Sequence, residues 1–168
     1  GVSIDEEFDT GRGTVYVNKV KVTDSDRNGH GKISLKEIFE VSSNIGFALA
    51  VDKYYRNDPK RYVDYINGIG FNEPYEFQIK GEAKPVIHNT DWELWSPSTL
   101  VTMSYGYGLL MTPMRTLTLY NAIANDGKLI TPLLVKRVEK PDGEVVKTFK
   151  SEVINNRICA ASTLRTIR

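Results

Sequence analysis

Ile33-Ser34-Leu35-Lys36-Glu37-Ile38-Phe39-Glu40-Val41-Ser42-Ser43-Asn44-Ile45-Gly46 is the stretch on which the reading of this chain turns. Ser34 and Glu37 have capping-box spacing: the serine oxygen accepts a free backbone N–H and the glutamate returns to the cap's own N–H. Ile33 and Ile38 flank the cap as a hydrophobic staple, so a helix is expected over about 35–41. Ser42-Ser43-Asn44 then interrupts it with residues that hydrogen-bond locally instead of propagating a helix. A second helix is expected from the apolar run at 45–55. Ser42 and Asn44 thus sit in a break between two helices, a hydroxyl and a carboxamide two positions apart. A hydroxyl can pass a proton, and an amide can donate to and accept from a peptide. The plainer reading is that Ser42 or Asn44 only caps the second helix. Local context leaves both readings open.

Working upstream, Thr14–Val17 and Lys19–Thr23 look like two strands separated by Asn18 alone. Asp24-Ser25-Asp26-Arg27-Asn28-Gly29 has the opening half of an EF-hand calcium loop, with glycine at the sixth position. Its second half fails, because the twelfth position is Leu35 where a bidentate glutamate is needed. Asp, Asn and Gly also build any tight polar turn. A calcium-binding domain is therefore the weakest of the functional readings.

Downstream, Asp58-Pro59 restarts a helix that Gly68 and Gly70 end. Residues 71–91 read as a loop-rich excursion. Leu100–Ser104 is a buried-looking run leading into Tyr105-Gly106-Tyr107-Gly108. Thr112-Pro113 begins a helix that closes at Asn125-Asp126-Gly127. Leu129-Ile130, Leu133–Glu139 and Glu144–Phe149 read as strands, the last two joined as a hairpin by Pro141-Asp142-Gly143. The pattern is α+β with antiparallel pieces.

Composition narrows the function classes. With 22 basic and 21 acidic side chains in 168 residues, the net charge is +1. Nucleic-acid binding calls for a clustered basic stripe, and Lys136-Arg137 with Lys140 is broken by Glu139. The single cysteine, Cys159, and two distant histidines, His30 and His88, offer no disulfide and no recognisable zinc spacing. No run of about 18 apolar residues is present. No cofactor and no metal are expected.

Several motifs in order carry a resemblance. Val41-Ser42-Ser43-Asn44-Ile45-Gly46 after a capped helix resembles the S-x-N motif of class B penicillin-binding proteins. Gly81-Glu82-Ala83-Lys84, Trp95-Ser96-Pro97-Ser98-Thr99 and Ser104-Tyr105-Gly106-Tyr107-Gly108-Leu109 follow as in that family. So do Thr112-Pro113-Met114 and Ala122-Ile123-Ala124-Asn125-Asp126-Gly127. The match runs from about Thr10 to Glu139 and is nearest to the cell-division transpeptidases. It implies a partial β-lactamase/transpeptidase-like fold, a helical subdomain plus part of an antiparallel sheet.

The family's other two motifs, S-x-x-K and K-T-G, are absent from 1–168. The expectation is an interior piece of one transpeptidase domain, inactive by itself. The resemblance implies a parent that forms an acyl-serine with the D-Ala-D-Ala of a peptidoglycan stem peptide. Ser42 would relay a proton to the departing amine and Asn44 would hold the substrate's backbone amide. β-Lactams would acylate the same serine. Ser43 stands where class A β-lactamases carry aspartate, which favours a transpeptidase. The resemblance also implies an extracytoplasmic, periplasmic location, an anchor outside this segment, and division-machinery partners. An incomplete sheet would leave an edge for a homodimer. The competing reading is a non-catalytic binding or regulatory module on the same fold.

Overall fold

The computed structural model describes residues 2–72, 74–75, 78 and 81–168. In chain order the elements are β1 (Glu7–Asp9), β2 (Thr14–Val17), β3 (Val20–Thr23), β4 (Lys32–Ser34), α1 (Leu35–Glu40), α2 (Asn44–Tyr55) and α3 (Pro59–Gly68). They continue with β5 (Val86–Ile87), α4 (Pro97–Met103), β6 (Leu109–Leu110), α5 (Pro113–Ala124) and β7 (Leu129–Ile130). The last four are β8 (Arg137–Glu139), β9 (Val145–Thr148), β10 (Val153–Asn155) and α6 (Ala161–Ile167). Two compact units emerge, Gly1–Val63 with His88–Leu109, and Asp64–Ile87 with Leu110–Arg168.

The first unit is built around α2. β1 pairs antiparallel with β4, and β2 with β3. The β2–β3 hairpin turns through Asn18 (φ 46°) and Lys19 (φ 68°), both left-handed. That is the two-residue turn whose twist matches its flanking strands. Lys19 therefore belongs to the turn, and the second strand begins at Val20, one residue later than the sequence pattern suggests. Val17 and Val22 from this hairpin bury against Ile45 and Ala48 of α2 and Val101 of α4. A second cluster joins Phe8, Ile38 and Ala50, with Ile33 packed on it as the staple requires. Gly46 permits the close approach of α2 to α1: a Cβ there would lie 2.4 Å from the side chain of Ile38.

The expected buried run at 100–104 is part of a helix. Ser96 precedes Pro97, the favoured first-turn arrangement, and the Ser96 N–H donates to Thr99 Oγ1 at 3.1 Å. Leu100, Val101 and Met103 are buried along α4. The apolar run concealed a helix because a cap and a proline, not its periodicity, marked its start.

The second unit places α5 beside β7, and β7 pairs with β10. Gly127 ends α5 as expected, at φ 83°, its N–H donating to the Ala122 carbonyl at 2.8 Å. β8 and β9 form the expected hairpin, but β8 starts only at Arg137. Before it, the Gln78 carboxamide imitates a strand neighbour. Its Oε1 accepts from Leu134 N–H (3.1 Å) and Val135 N–H (3.0 Å), and its Nε2 donates to the Val135 carbonyl (2.9 Å). The loop-rich reading of 71–91 falls in part on residues 73, 76, 77, 79 and 80, which lie outside the described residues. β10 and α6 had no clear sequence signal. The pairs β1–β4 and β2–β3 of the first unit, and β7–β10 and β8–β9 of the second, are each two-stranded and antiparallel.

Candidate active site

Helix α1 ends at Val41, and the way it ends decides the site. Ser42 is exposed and left-handed, at φ 55°. Its N–H donates to the Phe39 carbonyl at 3.2 Å, and the Ser43 N–H donates to the Ile38 carbonyl at 3.0 Å. These two bonds make a Schellman closure with Ser42 at the left-handed position, where glycine is the usual occupant. A serine there costs roughly 1 kcal/mol of backbone strain relative to glycine. Strain of this kind at an exposed polar residue motivates a functional reading.

Ser43, not Ser42 or Asn44, is the cap of α2. It is fully buried, and its Oγ accepts the Gly46 N–H at 2.9 Å. The Ser43 hydroxyl donates to Asp24 Oδ2 at 2.8 Å, and Asp24 Oδ1 accepts the Ile45 N–H at 2.9 Å. A negative charge at the start of a 12-residue helix is favoured by the helix dipole. Asn44 is half-buried, and its Nδ2 donates to the Thr23 carbonyl at 3.0 Å. That leaves its carbonyl oxygen able to accept an N–H.

The cap explanation left open for Ser42 and Asn44 is thereby overturned: their neighbour performs it. Sequence reasoning placed Asp24 in a polar turn, with a half calcium loop as the weaker alternative, and missed its part in starting α2. Both its oxygens are engaged by α2, and it is 4% exposed. The loop's glycine is explained by packing, since a Cβ on Gly29 would meet backbone atoms of residues 11–13 within 2.7 Å. Among the described residues no three His, Cys, Asp or Glu side chains form a metal-holding group.

Tyr105, from the Tyr105-Gly106-Tyr107-Gly108 stretch, packs on the cluster that contains Ile45. Burial pushes the Tyr105 hydroxyl pKa up, with Tyr107 adding to the shift. Tyr107 is exposed and meets Tyr105 edge-on at 5.6 Å between centroids. A pocket of about 230 Å³ lined by Asn18, Arg56, Trp95 and Leu100 lies at the other end of α2, away from Ser42. The arrangement at the N-terminal end is an exposed hydroxyl beside a partly exposed carboxamide on a turn tied down at both flanks. It can donate or relay a proton and orient a peptide group, but it contains no activated nucleophile.

The penicillin-binding protein transpeptidase domain model matches residues 1–168. Penicillin-binding protein PbpB of Mycobacterium tuberculosis is 29% identical over the whole chain, which spans 24% of that protein. The probable peptidoglycan D,D-transpeptidase FtsI of Caulobacter vibrioides is 26% identical over 68% of the chain, corresponding to 18% of its own length. The crystal structure of M. tuberculosis penicillin-binding protein 3 with aztreonam has a TM-score of 0.77 at 30% identity. That match covers 99% of this chain and 35% of the other. The D,D-transpeptidase domain of an Eggerthella lenta peptidoglycan glycosyltransferase shares the fold, with a TM-score of 0.82 at 20% identity over 97% of this chain and 41% of that one. The chain therefore spans about a quarter or less of the curated relatives named here, and it belongs to the class B penicillin-binding protein transpeptidase-domain family.

Proposed function

We propose that this chain is the S-x-N-bearing part of a peptidoglycan D,D-transpeptidase that cross-links cell-wall stem peptides outside the cytoplasm. The observation that carries the reading is Ser42: an exposed serine in a strained, left-handed position, one residue before a buried cap and two before Asn44. Local stability favours glycine there, so a hydroxyl calls for another reason.

The nucleophilic serine and its lysine base would be supplied by an S-x-x-K outside these 168 residues, and the oxyanion side of the cleft by a K-T-G strand. The serine would attack the penultimate D-Ala carbonyl and release the terminal D-Ala. Ser42 would deliver a proton toward the departing amine, which as general acid catalysis contributes typically 10²–10⁴-fold. The Asn44 carbonyl oxygen would accept a substrate backbone N–H. β-Lactams would enter the same cleft and acylate the same serine, in keeping with the aztreonam complex of a relative. The names of the relatives are in keeping with a role in cell division; partners in the division machinery and an anchor in the cytoplasmic membrane belong to the same proposal. Among the described residues no helix is long and apolar enough to cross a membrane. Pairing of exposed strand edges into a homodimer belongs to the same proposal.

The test is labelling with a fluorescent penicillin. The full-length protein that contains this chain is expected to be labelled, and the 168-residue chain alone is not. Labelling of the short chain would place a nucleophile within it and overturn the assignment. An unlabelled full-length protein would favour a non-catalytic module on the transpeptidase fold.

A further inference from the structure

Three consecutive residues at the start of α2 are gripped by two consecutive residues at the end of β3. Thr23 offers its carbonyl to Asn44 Nδ2 at 3.0 Å, and Asp24 takes the Ser43 hydroxyl at 2.8 Å and the Ile45 N–H at 2.9 Å. Asp24 and Ser43 are both buried, so neither bond is exchanged with water. Ser42, immediately before this grip, is held from the other side through its N–H by the Phe39 carbonyl, and the Ser43 N–H is held by that of Ile38. Its left-handed backbone persists because both flanks are tied down.

We propose that Asp24 is a positioning residue for the transpeptidase reaction, aiming the Ser42 hydroxyl and the Asn44 carboxamide through Ser43 and Ile45. The inference rests on the reading of Ser42 and Asn44 given under Proposed function. Asp24 itself touches no substrate. Its side chain anchors the turn to the β2–β3 hairpin, whose Val17 and Val22 are fixed in the same cluster as Ile45. Misplacing a reacting group by about an ångström costs on the order of 10²-fold in rate, so the grip bears directly on chemistry. Asp24→Asn tests the geometry finely. The carboxamide oxygen can still accept from Ile45 and its NH₂ can donate to Ser43 Oγ, while the acceptor for the Ser43 hydroxyl is lost.

The experiment is a double-mutant cycle on the full-length protein, reading the second-order acylation rate by a fluorescent penicillin per titratable site. Ser42→Ala and Asp24→Ala are each expected to slow acylation about tenfold or more, and Asp24→Asn by less. The double variant is expected to be slower than Ser42→Ala alone by clearly less than the factor Asp24→Ala gives by itself, because part of the Asp24 effect passes through Ser42 and the rest through Asn44. A merely structural role would lower the fraction of protein labelled at the endpoint and leave the rate per site alone. A slow Ser42→Ala with a wild-type rate for Asp24→Ala overturns the role of Asp24 and leaves the site reading standing. Fully additive losses also overturn it. A wild-type rate for Ser42→Ala removes the site reading and the inference together. Should Asp24→Ala fail to fold, Asp24→Asn carries the same cycle with a smaller expected slowing, and a wild-type rate for it overturns the role of Asp24.

Discussion

A polar knot buried in each of the two units invites comparison, because the two are made differently. In the first unit Asp24 faces a neutral hydroxyl and two backbone amides lie close by, all spent on starting α2. In the second, Arg115 of α5 is fully buried and meets Glu82, whose side chain is 7% exposed, at 3.4 Å. Its guanidinium donates to the carbonyls of Gly70 (3.3 Å) and Phe71 (3.0 Å) and lies 4.2 Å from the centroid of Tyr75. The first knot fixes a helix end beside an exposed serine. The second ties a loop to a helix and leaves no chemistry at the surface. A buried ion pair is weak evidence for net stability but is costly to break. A buried cap is cheaper to break, yet here it holds the one strained turn to which the family motif maps. Burial of charge alone therefore does not mark a site; what the buried group holds in place does.

Breaking the second knot is expected to give the largest effect. Arg115→Ala strands the Glu82 carboxylate in the interior and is expected to destabilise the second unit by about 3–5 kcal/mol. Chemical denaturation of the full-length protein checks this. Replacing both Arg115 and Glu82 by apolar residues of similar volume is expected to recover most of the loss. A double variant as unstable as Arg115→Ala would show that the pair itself, not the stranded charge, is what matters.

An intermediate effect, of opposite sign, is expected in the first unit. Ser42→Gly relieves the left-handed strain and is expected to raise stability by up to about 1 kcal/mol while slowing penicillin acylation. A melting curve and an acylation rate measured on the same preparation decide it. Stabilisation without loss of rate would return Ser42 to an ordinary helix end.

The smallest effect concerns the capping box of α1. The Ser34 N–H donates to Glu37 Oε2 at 2.8 Å, and this bond, followed by the Ser34 hydroxyl, holds the Glu37 carboxyl below its ordinary value of 4.5. A depressed carboxyl contributes stability that is present above 4.5 and is lost as pH falls through the lower folded value. Amide exchange at Ser34 is expected to be protected at neutral pH and to lose that protection in acid. Glu37→Gln is expected to flatten this pH dependence, and an unchanged profile would remove Glu37 from the box.

The parts of the molecule that were legible are those whose partners lie within a turn of each other. The Ser34–Glu37 box, the prolines at 59 and 113, and the glycine closing α5 all act over three or four residues. Their types alone locate the helix ends. Asp24 was legible as a polar-turn residue, but its role in starting α2 was not. Its partner Ser43 lies 19 residues on, and nothing local announces it. Arg115 and Glu82 are 33 positions apart, and neither has a neighbour in sequence that demands the other.

The amino-acid order by itself determined that a serine and an asparagine interrupt two helices, because capping and interruption are short-range hydrogen-bond effects. Only the tertiary structure decided which hydroxyl of the adjacent pair is buried and which faces solvent. That choice depends on a carboxylate delivered by the β2–β3 hairpin, whose packing against α2 brings Asp24 within 2.8 Å of Ser43.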